Sequence, residues 1–180
     1  GVAHVPEDRQ KMGMIADFSA SETALLGYHN DKEINQGIWL KRSSVKANCE
    51  SIMEAFDVRP SNPDLKSSNF SGGNQQKLIL AREFERDPEV LIIGQPTRGV
   101  DIGAIEFIRK RIIKMRDAGK AIILISVELE EIMSLSDRII VMCDGEITGT
   151  VDASSADEAT LGMMMANALQ PQDEPKGAEL

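Results

Sequence analysis

Two runs of wholly apolar residues, Val90-Leu91-Ile92-Ile93 and Ala121-Ile122-Ile123-Leu124-Ile125, constrain this chain more than any other feature. Each is strand-length and neither alternates with polar residues, the pattern of a strand covered on both faces in a parallel sheet. Between them lies a stretch of helical periodicity, 103–118, with Ile105, Ile108, Ile112 and Met115 on one face. Gly119 closes it. Parallel strands need such a crossover, so the expected fold class is α/β, a parallel sheet flanked by helices.

The residues before this unit read differently. Val2-Ala3-His4-Val5 is a short strand, and Pro6-Glu7-Asp8-Arg9 a charged turn. From Ser19 to about Val58 the pattern is helical. Ser19 or Ser21 caps a helix carrying Ala24 and Leu25, and a second helix is predicted over 43–56. Pro60, Asn62 and Pro63 end that lobe. A polar loop, 66–69, leads into Phe70-Ser71-Gly72-Gly73-Asn74 and a helix predicted over 74–86, stopped by Asp87-Pro88.

Beyond the second apolar run, predicted as a buried strand over 121–126, come a short helix over 128–133 and strands over 138–143 and 146–151. Asp144-Gly145 joins those strands as a hairpin signal. A last helix is predicted over 156–168, and the tail is expected to be disordered. The resulting division is 1–15 as a strand with its turn, 16–73 as a helical subdomain, 74–169 as an α/β core portion and 170–180 as tail. No internal repeat is present.

Composition narrows the partners. With 42% hydrophobic residues the chain can bury a real core, and its net charge of -9 argues against nucleic acid, whose phosphates demand clustered Lys and Arg. The acidity reads as a solubility feature. Of the two cysteines, Cys143 sits in an apolar run and is expected to be a buried free thiol, a usage that fits a reducing compartment. No apolar run approaches a bilayer span. The chain opens on Gly1 in the tail of a strand and reads as part of something larger.

Ser71-Gly72-Gly73 opening a helix is a candidate anion site, because glycines allow close backbone approach and the helix start offers unpaired N–H groups. Alone, two glycines before a helix are more often an ordinary turn. Here Phe70-Ser71-Gly72-Gly73-Asn74-Gln75-Gln76-Lys77 is followed by a helix, an apolar strand, and then Gln95-Pro96-Thr97-Arg98-Gly99-Val100-Asp101. The second apolar strand then runs through Ser126 into Glu128-Leu129-Glu130-Glu131.

This order and spacing resemble the second half of an ATP-binding-cassette ATPase: signature motif, Walker B strand, D-loop, and the switch after the next strand. The fold it implies is a partial P-loop NTPase with a helical subdomain and without the phosphate-loop region. The forms of the signature and D-loop are similar to those in ATPase subunits of bacterial importers for simple sugars and nucleosides, which carry two such domains in tandem. Pro6-Glu7-Asp8-Arg9 followed by Asp17-Phe18-Ser19 resembles the second domain of such a pair. The resemblance extends to about Leu169.

It implies that Ser71, Gly72, Gly73 and Asn74 contact the terminal phosphate of ATP held by a partner domain, and that Asp101 of the D-loop reaches across the same interface. The implied cofactors are ATP and magnesium in the parent assembly, with none bound tightly to this chain by itself. The implied partners are the amino-terminal nucleotide-binding domain of the same subunit, membrane permease subunits and, indirectly, an extracytoplasmic substrate-binding protein. The implied location is the cytoplasmic face of the bacterial inner membrane.

The departures from the family pattern matter as much. The Walker B aspartate and glutamate positions hold Gly94 and Gln95. Glycine offers no carboxylate to support magnesium, and glutamine can position a water but cannot take its proton. The switch-histidine position holds Val127, and the Q-loop glutamine position holds Glu7. No Gly-x-x-x-x-Gly-Lys-Ser/Thr loop occurs in these residues, so the phosphate cradle is expected to precede Gly1. No catalytic residue is therefore assigned, and the domain's own site is expected to be silent.

Other candidates carry structural readings. His4 and His29 lack neighbouring ligands, and no metal site is expected. Glu128, Glu130 and Glu131 read as a solvated helix face, Met163, Met164 and Met165 as packing or facing a neighbour, and Trp39 as packing or a contact with a membrane-embedded partner. Two other functions stay open: a non-transport regulatory or scaffold protein retaining the fold, and an unrelated nucleotide-binding α/β protein with a coincidental glycine turn.

Overall fold

A computed structural model describes residues 1–30, 34–36 and 39–168, so the expectations for the tail and Leu169 lie outside the described residues. The chain divides into two compact units, residues 1–125 and a second from Ser126 onward.

The first unit is built on a parallel sheet of β1 (Val2–Val5), β4 (Val90–Gly94) and β5 (Ala121–Ile125), in the order β1-β4-β5. Val2 faces Val90 and Val90 faces Ala121, so the strands start level and Gly94 ends beside Ile125. The crossover between β4 and β5 is α4 (Ile102–Asp117), which Asp101 caps by accepting from the N–H of Ala104. Its buried residues are Ala104, Ile108 and Ile112, three of a helical face.

Between β1 and β4 lies the helical lobe. α1 (Ala20–Leu25) begins in a capping box, with Ser19 and Glu22 exchanging side-chain and backbone bonds. α2 (Arg42–Ala55) follows, and α3 (Gly72–Phe84) returns to the sheet. The helical pattern expected through 19–58 is interrupted by a small antiparallel pair, β2 (Asn35–Gln36) and β3 (Trp39–Leu40). α3 starts two residues earlier than predicted, because Ser71 is its cap and the glycines form its first turn. Phe56, at the end of α2, packs edge-on against Phe84 of α3 at 5.9 Å and Phe107 of α4 at 5.8 Å. Leu78, Ile79, Leu80, Leu91 and Ile93 are fully buried nearby in sequence order along α3 and β4.

One expectation for this unit fails. β5, predicted as buried, leaves Ile123 and Ile125 about half exposed, at 54% and 53%. The strand is hydrogen-bonded along one edge, to β4, and no described element of this unit covers the face bearing those side chains.

The second unit contains α5 (Leu129–Leu135), the hairpin of β6 (Arg138–Cys143) with β7 (Glu146–Asp152), and α6 (Glu158–Met165). Asp144 and Gly145 both take positive φ, 50° and 84°, as a tight two-residue hairpin turn requires. Ile139, Val141, Leu161 and Met164 form its core. α6 is shorter than the predicted 156–168, since Asp157 caps it by accepting from the N–H of Thr160. Two readings are corrected here. Cys143 is only half-buried, on a hairpin strand with alternating exposure, whereas Cys49 is the buried thiol, pushed up to about 12 by desolvation. Of the presumed solvated face, Glu131 is fully buried and neither carboxylate oxygen has a hydrogen-bond partner. Met164 is buried while Met163 and Met165 remain partly exposed.

Candidate functional site

The signature turn, the D-loop, the end of β4 and the 6–9 turn converge in the first unit. Ser71 is exposed and its Oγ accepts from the backbone N–H of Asn74 at 3.4 Å and from Asn74 Nδ2 at 2.9 Å. The Asn74 side chain is engaged at both ends, since its Oδ1 accepts from the N–H of Arg59 at 2.7 Å. Asn74 thus holds the turn together, and Ser71 forms its exposed part. A side chain on Gly73 would meet Asp101 Oδ2 at 2.9 Å, so Asp101 both caps α4 and lies against the signature helix of its own chain.

Gly72 is hemmed in as well. A Cβ there would lie 2.7 Å from Arg9 Nη2 and 3.0 Å from the carbonyl oxygen of Gly99. Arg9 Nη1 donates to the carbonyl of Arg98 at 2.8 Å, and Arg98 Nη1 forms an exposed ion pair with Glu7 at 3.3 Å. The sequence presents Arg9 only within the Pro6-Glu7-Asp8-Arg9 run; its partners lie about half the chain away, and no local signal names them.

At the end of β4 the chain passes Gly94 and turns at Gln95, which is buried, has φ 48° and donates its N–H to the carbonyl of Ile125 at 2.8 Å. A Cβ on Gly94 would lie 3.0 Å from the backbone nitrogen of Glu7 and 3.2 Å from its Cα. The 6–9 turn therefore approaches the strand end closely, where the family pattern has a metal-supporting carboxylate. Neither Gly94 nor Gln95 carries a carboxylate, and among the described residues no three His, Cys, Asp or Glu side chains converge to hold a metal. The strand end does not fit a magnesium site. Val127, in the second unit, is exposed and its isopropyl group offers no polar atom.

The arrangement thus combines a glycine turn with an exposed hydroxyl, at Ser71, and a strand end at Gly94 and Gln95 without a carboxylate. The turn alone can offer backbone and hydroxyl donors to an anion.

No family model matches the chain. It is 43% identical over 172 residues to the guanosine import ATP-binding protein NupO of Bacillus subtilis, covering 96% of this chain and 34% of that protein. It is 43% identical to the nucleoside import ATP-binding protein NupA of Lactococcus lactis, covering 91% and 32%. A ribose import ATP-binding protein of Shouchella clausii is 36% identical, with 89% and 32% covered. The chain spans about a third of the length of these curated relatives. Among solved structures, a dimeric ATP-binding cassette in a post-hydrolysis state with ADP and Pi matches with TM-score 0.68 and 21% identity, covering 84% of this chain and 62% of that one. The chain has the ATP-binding-cassette ATPase fold, and its homologues are nucleoside and sugar import ATP-binding proteins.

Proposed function

We propose that this chain, an ATP-binding-cassette ATPase by fold and a relative of import ATP-binding proteins, is the carboxyl-terminal part of a second, catalytically degenerate nucleotide-binding domain. In this reading it lends its signature to the ATP site of a partner domain. The observation that supports this best is the contrast within one site. Ser71 stays exposed at the start of α3, while Gly94 and Gln95 leave the end of β4 without a carboxylate and the Glu7 backbone closes over it.

The division of labour follows from that contrast. The partner domain supplies the phosphate loop, the magnesium site and the base, which is the chemistry ATP hydrolysis needs. This chain supplies N–H and hydroxyl donors where negative charge develops on the terminal phosphate, the form of help that accelerates a reaction most. The partner is the amino-terminal nucleotide-binding domain of the same subunit. Permease subunits dock on the helical lobe, where Trp39 and Leu40 present exposed apolar side chains. The cargo is a simple sugar or nucleoside, delivered by an extracytoplasmic binding protein, and the subunit sits at the cytoplasmic face of the membrane. Among the described residues no helix is long and apolar enough to cross a membrane.

The test is ATP turnover by the full subunit assembled with its permeases, comparing Gly72→Asp with Gln95→Ala. A side chain at Gly72 meets Arg9 Nη2 and the Gly99 carbonyl, so Gly72→Asp displaces the turn that carries the donors. Loss of turnover in Gly72→Asp, with Gln95→Ala close to the unmodified protein, is the expected result. If both are harmless the signature is idle, and the regulatory or scaffold reading, which the losses at Gly94, Gln95 and Val127 favour, takes its place. Damage from Gln95→Ala alone would show the site to be active.

A further inference from the structure

The guanidinium of Arg9 occupies a position that neither the fold nor the trans role of the signature explains. It bridges two segments far from it in sequence. One arm donates to the carbonyl of Arg98 at 2.8 Å. The other, Nη2, lies where it would be 2.7 Å from a Cβ on Gly72 and 3.4 Å from one on Gly99. Its Nε is buried without a hydrogen-bond partner. Both glycines therefore leave room for a flat cation: any side chain at Gly72 would displace Nη2, and the Gly99 carbonyl lies 3.0 Å from the same Cβ position.

Three segments meet on this one group: the 6–9 turn that follows β1, the signature turn at the start of α3, and the turn after β4. Arg9 is anchored on its own side by position, since the next residues form a turn capped by Asp8, whose carboxylate accepts from the N–H groups of Gln10 and Lys11. The guanidinium is a planar, always-charged spacer with its donors in a fixed fork. A spacer of that kind sets a distance and an angle, where a flexible side chain would set only a contact.

We propose that Arg9 is a positioning residue for the signature. It fixes Ser71-Gly72-Gly73 against the D-loop, so that the donors closing the partner's ATP site are aimed correctly only while the 6–9 turn is seated. This inference rests on the trans role proposed above. Arg9 itself does not touch nucleotide. Because the partner's phosphate loop holds ATP, misaiming the signature lowers turnover more than nucleotide affinity.

The experiment uses the full subunit with its permeases and compares Arg9→Ala and Arg9→Lys with the unmodified protein, with and without guanidinium ion at a non-denaturing concentration. Gly72→Asp is run in parallel. For Arg9→Ala, kcat is expected to fall by about 10²-fold, the scale of a small misplacement of a site group, with KM for ATP little changed. Guanidinium ion should restore part of that loss. Arg9→Lys should fall between, since an ammonium can still donate to the Arg98 carbonyl but has no second arm. The melting temperature should stay near that of the unmodified protein. An Arg9→Ala protein with normal kcat overturns the assignment. So does a loss that tracks a fall in melting temperature and resists guanidinium. If Gly72→Asp abolishes turnover while Arg9→Ala is silent, only the Arg9 assignment falls. If Gly72→Asp is itself harmless, the trans role and this inference fall together.

Discussion

Gly94 shows how one missing side chain can reshape a site. Its Cβ position lies against the backbone of Glu7, which cannot swing aside as a side-chain tip could. Replacing Gly94 by Asp therefore means forcing the 6–9 turn away from the strand end. We expect Gly94→Asp to destabilise the chain by about 1–3 kcal/mol, the usual range for overpacking a close-fitted site. The fall should be visible as a lower denaturant midpoint at unchanged slope. The double change Gly94→Asp with Gln95→Glu should carry at least that penalty, because Gln95 is buried and a carboxylate there also loses its hydration. A stability equal to that of the unmodified chain would mean the Glu7 backbone yields freely. Gly94 and Gln95 were legible as departures in the sequence, because the motif around them is intact. That the 6–9 turn fills the vacated space was not, since it depends on a contact between residues some ninety positions apart.

The elements were read well where their signals are local. Ser19 as a helix cap and Asp144-Gly145 as a hairpin turn act within a few residues, and each performs as its pattern implies. The capping box has a pH consequence. The Glu22 carboxylate accepts from the backbone N–H and the hydroxyl of Ser19, both at 2.8 Å, and those bonds hold its pKa below the ordinary 4.5. A depressed carboxylate stabilises the fold above its ordinary pKa and loses that contribution as pH falls through the lowered value. Stability should therefore drop on acidification below about pH 4.5, and more gently in Glu22→Gln. Urea midpoints measured across that range for both proteins check it. Packing between helices was less legible. Phe56 carries the contact of α2 with both α3 and α4, and the Arg111 guanidinium lies 4.6 Å from its ring centroid while bonding the carbonyl of Ala55. Phe56→Ala should cost about 3–5 kcal/mol, the range for emptying a large aromatic site, measured by thermal or denaturant unfolding. A loss near 1 kcal/mol would mean that the neighbouring rings collapse into the gap.

Across the whole molecule, local and long-range information separate cleanly. The sequence by itself determined most of the elements and their order, the Ser71-Gly72-Gly73 turn at the start of α3, and the absence of a carboxylate at Gly94 and Gln95. Periodicity, caps, turns and motif spacing are short-range, so each is written within a handful of neighbouring residues. Tertiary structure decided what those residues do for one another. It placed Arg9 between Gly72 and Gly99, set Asp101 against Gly73, and closed the Glu7 backbone over Gly94. It also reversed readings that local pattern suggested: Ile123 and Ile125 are half exposed on an apolar strand, Cys143 is half-buried, and Glu131 is buried in an acidic stretch. A strand's burial depends on what pairs with its second edge and covers its faces, and a side chain's burial on elements packed from elsewhere in the chain. Neither is encoded in the residue's own neighbourhood, because burial and close approach are properties of pairs of distant segments brought together by folding.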